Sequence, residues 1–284
     1  MMWVWKKTIY KANEAEWQDK LSHLPGAVFS EGFNAERVNI DVYTENEEEA
    51  YILQACYAGK TEKVDTVDWV AATAPENTPP LIIRDRLVIS ASSDAKILAA
   101  LQQQYPGRII LTFPAERAFG TGNHATTSTC LRMLCDEIKS RKQPWTLTDI
   151  GCGTGVLALA GLRLGAEKAI SFDFDPIAVE VARKNIDRNG GADNLELFQA
   201  DVFEWAPSSE EKADVVLANL FSAVLVKAFA RLKAAMKPKN SILIISGILN
   251  SQAEETLDAA RAEGLKVLKV VSRGKWTTAK LTHA

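Results

Sequence analysis

From about Lys96 onward the chain alternates short, almost unbroken apolar runs with longer helical ones, and no other feature narrows its fold as much. "TLTDI", "KAISFD", "LELFQA", "ADVVLAN", "SILIIS" and "LKVLKVV" are strand-like. Among them "ALAGLRLG", "PIAVEVARKNIDRNG", "FSAVLVKAFARLKAAM" and "NSQAEETLDAARAEG" space their apolar residues as helices do. A strand that is apolar on both faces has to be covered on both faces, and a strand-helix rhythm does this in a mostly parallel, doubly wound sheet. The fold class expected is therefore α/β.

Upstream the rhythm differs. "WVWKKTIYKA" and "AERVNIDVYT" alternate like strands, "EAEWQDKLSHL" and "NEEEAYILQACYAGK" are helix-like, and "LIIRDRLVIS" closes the region as a strand. That order suggests a small two-layer α+β sandwich. The expected division is a first domain over 1–90, a linker over 91–118 and the doubly wound domain over 119–284. Residues 1–90 carry 9 Lys and Arg against 15 Asp and Glu, whereas the remainder carries 24 against 21. An acidic first domain favours a basic partner; alternatively "ENEEE" is the acidic first turn of a helix, which the helix dipole favours.

Apolar residues make up 47% of the chain and charged ones 24%, as in ordinary globular proteins. The longest apolar stretches fall short of the roughly 20 residues that cross a bilayer, so no membrane partner is expected. "MMWVWKK" does not read as a leader peptide. Cys56, Cys130, Cys135 and Cys152 lack the short paired spacing of a zinc site, no metal is expected, and a reducing cytoplasm is the default compartment. A net charge of −3 with no basic face in view argues against direct nucleic-acid binding. Oligomeric state is left open.

The loop after the first strand of a doubly wound sheet lies closest to the ligand. Here it reads Asp149-Ile150-Gly151-Cys152-Gly153-Thr154-Gly155. The dinucleotide fingerprint needs a third glycine where this chain has Val156. Asp173, at the end of the next strand, is placed to accept hydrogen bonds from ribose hydroxyls, and Asp175 before Pro176 is placed to cap the following helix. Asp201, after the third strand, is either an adenine contact or a turn aspartate. A nicotinamide or flavin site is the competing reading of the loop.

The Gly-Cys-Gly-Thr-Gly pattern after Asp149 resembles the first motif of S-adenosylmethionine-dependent methyltransferases. "RAFGTGNHATTSTCLRML", "DIGCGTGVLALA", "DFDPIAVEVARKNIDRNG", "ADVVLANL" and "SGILNSQAE", in that order, are similar to the bacterial methyltransferases of large-subunit ribosomal protein L-eleven. The resemblance implies a Rossmann-like methyltransferase domain preceded by a substrate-recognition domain. It also implies S-adenosylmethionine as cofactor and a basic ribosomal protein, docked by the acidic first domain, as partner. It puts Thr127, Gly151, Asp173 and Asn219 on the cofactor, with Phe119, Gly120 and Thr121 in a lid loop beside the methyl donor; the glycine-loop motif adds Asp149, Gly153 and Gly155, and the end of the third strand adds Asp201, as expected cofactor contacts. Asn219 is also the residue it presents to the substrate nitrogen, the catalytic assignment; a strand-end asparagine serving local backbone is the bland alternative. His124 falls in the lid region with no carboxylate or serine partner legible nearby, and is assigned to structure.

This chain departs from the family pattern at "FPAERAFGTG", which lacks a Pro-Gly step, and after Asp68-Trp69. The donor site is therefore better marked than the acceptor. Other protein lysines, small molecules, or a non-catalytic module with the cofactor fold are the alternatives.

Overall fold

The computed structural model describes residues 2–21, 24, 27–31, 36–44, 46–64, 79–114, 124–139, 141 and 144–284. The chain divides into two compact units, Met1–Pro75 and Glu76–Ala284.

In the first unit β1 (Met2–Tyr10), α1 (Glu14–Lys20), β2 (Ala27–Glu31), β3 (Arg37–Thr44), α2 (Glu47–Tyr57) and β4 (Lys60–Val64) form an antiparallel sheet of order β2-β3-β1-β4 with two helices. Alternation in β3 sends Val38, Ile40 and Val42 inward, where they meet Trp5, Ile9, Leu21 and Leu53. The two edge strands escape the periodicity reading for a physical reason: "KTEKV" is charged and "AVFSE" is short, as suits strands that must not recruit a further chain. Glu47, Glu48 and Glu49 occupy the first turn of α2, whose cap is Asn46, accepting from the Glu48 amide at 2.9 Å.

The second unit begins with β5 (Leu81–Ile83), β6 (Leu87–Ser90), α3 (Ala95–Gln104) and β7 (Ile109–Thr112), a three-stranded sheet of order β5-β6-β7. "LIIRDRLVIS", expected as one strand, is thus a hairpin. Arg84, Asp85 and Arg86 form its turn, with Arg84 at φ 54°. β6 pairs with β7 in parallel, Leu87 opposite Ile109, so residues 81–112 form part of the second unit, where the sequence suggested the end of a first domain and a linker. The side chain of Asn189 locks this sheet in place: its Oδ1 accepts from the Thr112 amide at 2.8 Å and its Nδ2 donates to the Thr112 carbonyl at 2.9 Å.

There follow α4 (Ala125–Ile138), β8 (Trp145–Ile150), α5 (Val156–Arg163), β9 (Ala166–Asp173), α6 (Pro176–Arg188), β10 (Leu195–Gln199), β11 (Val215–Asn219), α7 (Ser222–Ala234), β12 (Ile242–Leu249), α8 (Ala253–Ala262), β13 (Leu265–Arg273) and β14 (Trp276–His283). The seven strands run in the order β10-β9-β8-β11-β12-β14-β13. The first five are parallel and β14 is antiparallel to both its neighbours. The continuous apolar runs arise because both faces are covered. Val215, Leu217, Ile242 and Ile244 pack on the side of α4 and α5; Val216, Ala218, Leu243 and Ile245 pack on the side of α7 and α8. The α/β doubly wound class expected from the rhythm is the one observed.

Candidate active site

Strand order reverses between β8 and β11, and a crevice beyond the carboxyl ends of the strands belongs at that point. Parallel registers set Ile150 beside Phe172 and beside Ala218, so the residues that follow, Gly151, Asp173 and Asn219, emerge side by side. Gln199 of β10 lies opposite Asp173, which puts Asp201 next along the same edge.

The glycine loop is bent back against β9. The amides of Gly151 and Cys152 both donate to the Phe172 carbonyl, at 2.9 and 3.0 Å, and the Gly153 amide donates to Asp173 Oδ2 at 2.9 Å. Gly151 sits at φ 72°, and a Cβ there would collide with Leu220 Cδ2. Gly153 (φ 53°) and Gly155 (φ 77°) complete the turn into α5. A pyrophosphate cradle needs amides aimed outward, and three of the amides of this loop are already engaged inward.

Beneath the loop lies Asp149, fully buried, with Oδ2 accepting from the Ala158 amide at 3.1 Å and Oδ1 without a hydrogen-bond partner among the described residues. Burial, offset in part by that amide and reinforced by the charge of Asp173, pushes its pKa up to about 7. Asp173 is also raised, chiefly by burial; its Oδ1 accepts from the Asp175 amide at 3.1 Å. Asp175 caps α6 ahead of Pro176, as its sequence position suggested, accepting from Ile177 at 2.8 Å.

Asn219 closes the other side. Its Nδ2 donates to Thr127 Oγ1 of α4 at 3.3 Å, which leaves Oδ1 buried and unpartnered among the described residues. Buried acceptors are almost always satisfied, so an acceptor at the mouth of a crevice with no partner among the described residues is free to meet a further donor there. Asp201 is exposed and accepts from the Phe203 amide at 2.8 Å, which is a turn-capping contact. Phe119, Gly120 and Thr121 lie outside the described residues.

His124 caps α4. Its Nδ1 lies 2.8 Å from Thr126 Oγ1 and its ring meets Trp276 edge-on at 5.1 Å. Burial, then the charge of Lys275, lowers its pKa to about 4, so the ring is neutral at pH 7 and a poor proton acceptor. Cys130 and Cys135 are buried on α4.

Sequence reasoning gave no role to Leu220 and Gly247, which set the geometry here. The Leu220 amide donates to the Ser246 carbonyl at 3.0 Å, and Gly247, at φ 86° in an irregularity of β12, passes so close that a Cβ would strike the Leu220 carbonyl. The only signal was the Ser-Gly step in "SGILN".

The family model described as ribosomal protein L11 methyltransferase (PrmA) matches residues 6–283. The chain belongs to the ribosomal protein L11 methyltransferase family. Ribosomal protein L11 methyltransferases of Escherichia coli K12 and Shigella boydii are each 36% identical over 229 residues, covering 79% of this chain and 71% of theirs. A crystal structure of the ribosomal protein L11 methylase of Lactobacillus delbrueckii subsp. bulgaricus superposes with a TM-score of 0.61 at 21% identity, over 72% of this chain and 98% of that one, and shares the fold. Family membership makes this chain a methyltransferase.

Proposed function

We propose that this chain transfers methyl groups from S-adenosylmethionine to amino nitrogens, lysine side chains or the N-terminus, of ribosomal protein L11. The cofactor reading rests on the chemistry of the crevice. The Asp173 carboxylate and the Asn219 amide oxygen flank a loop whose inward-turned amides leave few donors, a lining suited to a cationic ligand rich in hydroxyl and ammonium donors. The same acceptors would repel a pyrophosphate. Asp173 would take the ribose hydroxyls, Gly151, Gly153 and Gly155 the close backbone approach, and Asp149 would support the loop from below through its hydrogen bond from the Ala158 amide. Asp201 would reach the adenine end, and Phe119, Gly120 and Thr121 would form the lid.

S-adenosylmethionine, when bound, supplies a methyl group already activated on a sulfonium. The chain then has to align the acceptor nitrogen and keep it neutral. A lysine amine of ordinary pKa costs about 4–5 kcal/mol to deprotonate at pH 7. Asn219 Oδ1 can accept an N–H of the neutral amine and steer its lone pair, and Thr127 fixes which way the amide faces.

The single observation carrying the catalytic assignment is that orphaned oxygen. Asn219→Ala should lower turnover on L11, read by mass spectrometry of the product, by about 100-fold, the scale of losing one preorganised polar contact, while the urea midpoint moves little. An unchanged rate would remove Asn219 from the reaction. Calorimetry supplies the cofactor test: heat with S-adenosylhomocysteine and none with a nicotinamide dinucleotide is expected, and the converse overturns the reading. The N-terminal domain, with its acidic excess, would dock the basic target, and the cytoplasm would be the place of action.

A further inference from the structure

A cleft of about 340 Å³ opens between α4, the sheet-edge strand β13 and the β5–β6 turn, and its lining includes none of the residues of the crevice described above. Helical spacing sets Thr129, Arg132 and Asp136 on one face of α4, and strand alternation sets Lys269 and Arg273 on one face of β13. Arg84 comes from the turn. Four cations thus line a space that contains one carboxylate.

That carboxylate is already taken. Arg84 holds Asp136 with both prongs of its guanidinium, Nε to Oδ1 at 2.9 Å and Nη2 to Oδ2 at 2.7 Å. Arg132 and Arg273 are held by neutral oxygens instead: Arg132 Nη2 donates to the Ile82 carbonyl at 3.0 Å and Arg273 Nη1 to Ser128 Oγ at 3.0 Å. No ion pair reaches Arg132, Lys269 or Arg273 among the described residues. Burial, then the like charges of Arg273 and Arg84, pull the Arg132 guanidinium below its ordinary pKa. Asp136, already paired with Arg84, offsets this only in part; like charges held at close quarters and incompletely cancelled raise the energy of the folded chain, and a bound anion relieves it.

Guanidinium forks suit phosphate oxygens two at a time. Here the forks not already spent on a carboxylate come from two separate elements, α4 and β13, with Lys269 beside them in a space larger than one phosphate, and this surplus of charge calls for several negative groups in succession. We propose that this cleft binds the phosphodiester backbone of RNA. The inference is independent of the methyl-transfer site and stands or falls without it.

The test is fluorescence anisotropy of a labelled RNA of about 20 nucleotides, of mixed sequence, titrated with the full chain over a range of NaCl concentrations. Saturable binding should weaken with salt, with a slope in log Kd of about 0.7 for each phosphate neutralised on a single strand. Arg132→Gln with Arg273→Gln should weaken binding about tenfold or more and reduce that slope by about 1 to 2. Because Arg132 also holds the Ile82 carbonyl, the exposed Lys269→Glu serves as a second variant, with melting curves as the check on folding, and it should weaken binding in the same direction. Wild-type chain that ignores RNA, or variants that bind it equally, would overturn the proposal. So would poly-glutamate competing as well as unlabelled RNA, which would make the cleft a peptide site. Inorganic phosphate competing beyond the effect of equal ionic strength would make it a single-anion site and would overturn it too.

Discussion

Asp149 joins a stability effect to the site. A carboxyl whose folded pKa is raised from 3.8 to about 7 is protonated in the folded chain and ionised in the unfolded one between those values. The unfolded state therefore binds fewer protons there, and stability falls as pH rises through that window, levelling off above pH 7. Asp149→Asn keeps an acceptor for the Ala158 amide and removes the titration. Between pH 5 and pH 8 the wild-type chain should lose on the order of 3 kcal/mol relative to this variant, read from urea midpoints. Parallel profiles would mean that Asp149 is ionised throughout. His124 has the opposite sign: its depressed pKa of about 4 makes stability fall as pH drops below the unfolded value of 6.5. At this scale the sequence located Gly151, Asp173 and Asn219 but not their partners. The Thr127 hydroxyl that orients Asn219 is 92 residues away, and no local pattern reports such a contact.

Among the elements, the three-stranded sheet is completed at its β7 edge by a side chain from outside it. Asn189 pairs with both backbone groups of Thr112, completing the edge of β7 as a further strand would. Asn189→Ala leaves a partly buried amide and carbonyl without partners and should cost about 2–3 kcal/mol, seen as a lower urea midpoint with an unchanged slope. A midpoint unmoved would show that water replaces the amide. The elements of the large sheet were legible because burial on both faces writes itself as unbroken apolar runs. β14 was not, since "WTTAKLTH" carries threonines and a lysine, although Gly274 between it and β13 is a hairpin signal. "LIIRDRLVIS" is misleading as a single strand because its three charged residues form a turn.

For the molecule as a whole, charge is distributed in a way that the total of −3 conceals. If the acidic first domain docks the target electrostatically, raising NaCl from about 50 to about 500 mM should raise KM for ribosomal protein L11 several-fold and leave kcat nearly unchanged. A KM indifferent to salt would assign recognition to apolar contacts. The turn of Glu47, Glu48 and Glu49 stabilises α2 in any case, so part of the acidity serves the helix. The sequence alone determined the alternation of strand and helix, the glycine turn after β8 and the acid one strand over, because each is written within a span of a few residues. Tertiary structure alone decided which strand borders which, that the Asn219 oxygen has no donor among the described residues, and that arginines 48 and 141 residues apart share a cleft with a single carboxylate. Periodicity is a property of neighbours along the chain, whereas an unmet hydrogen bond or an uncancelled charge exists only once distant segments are packed together.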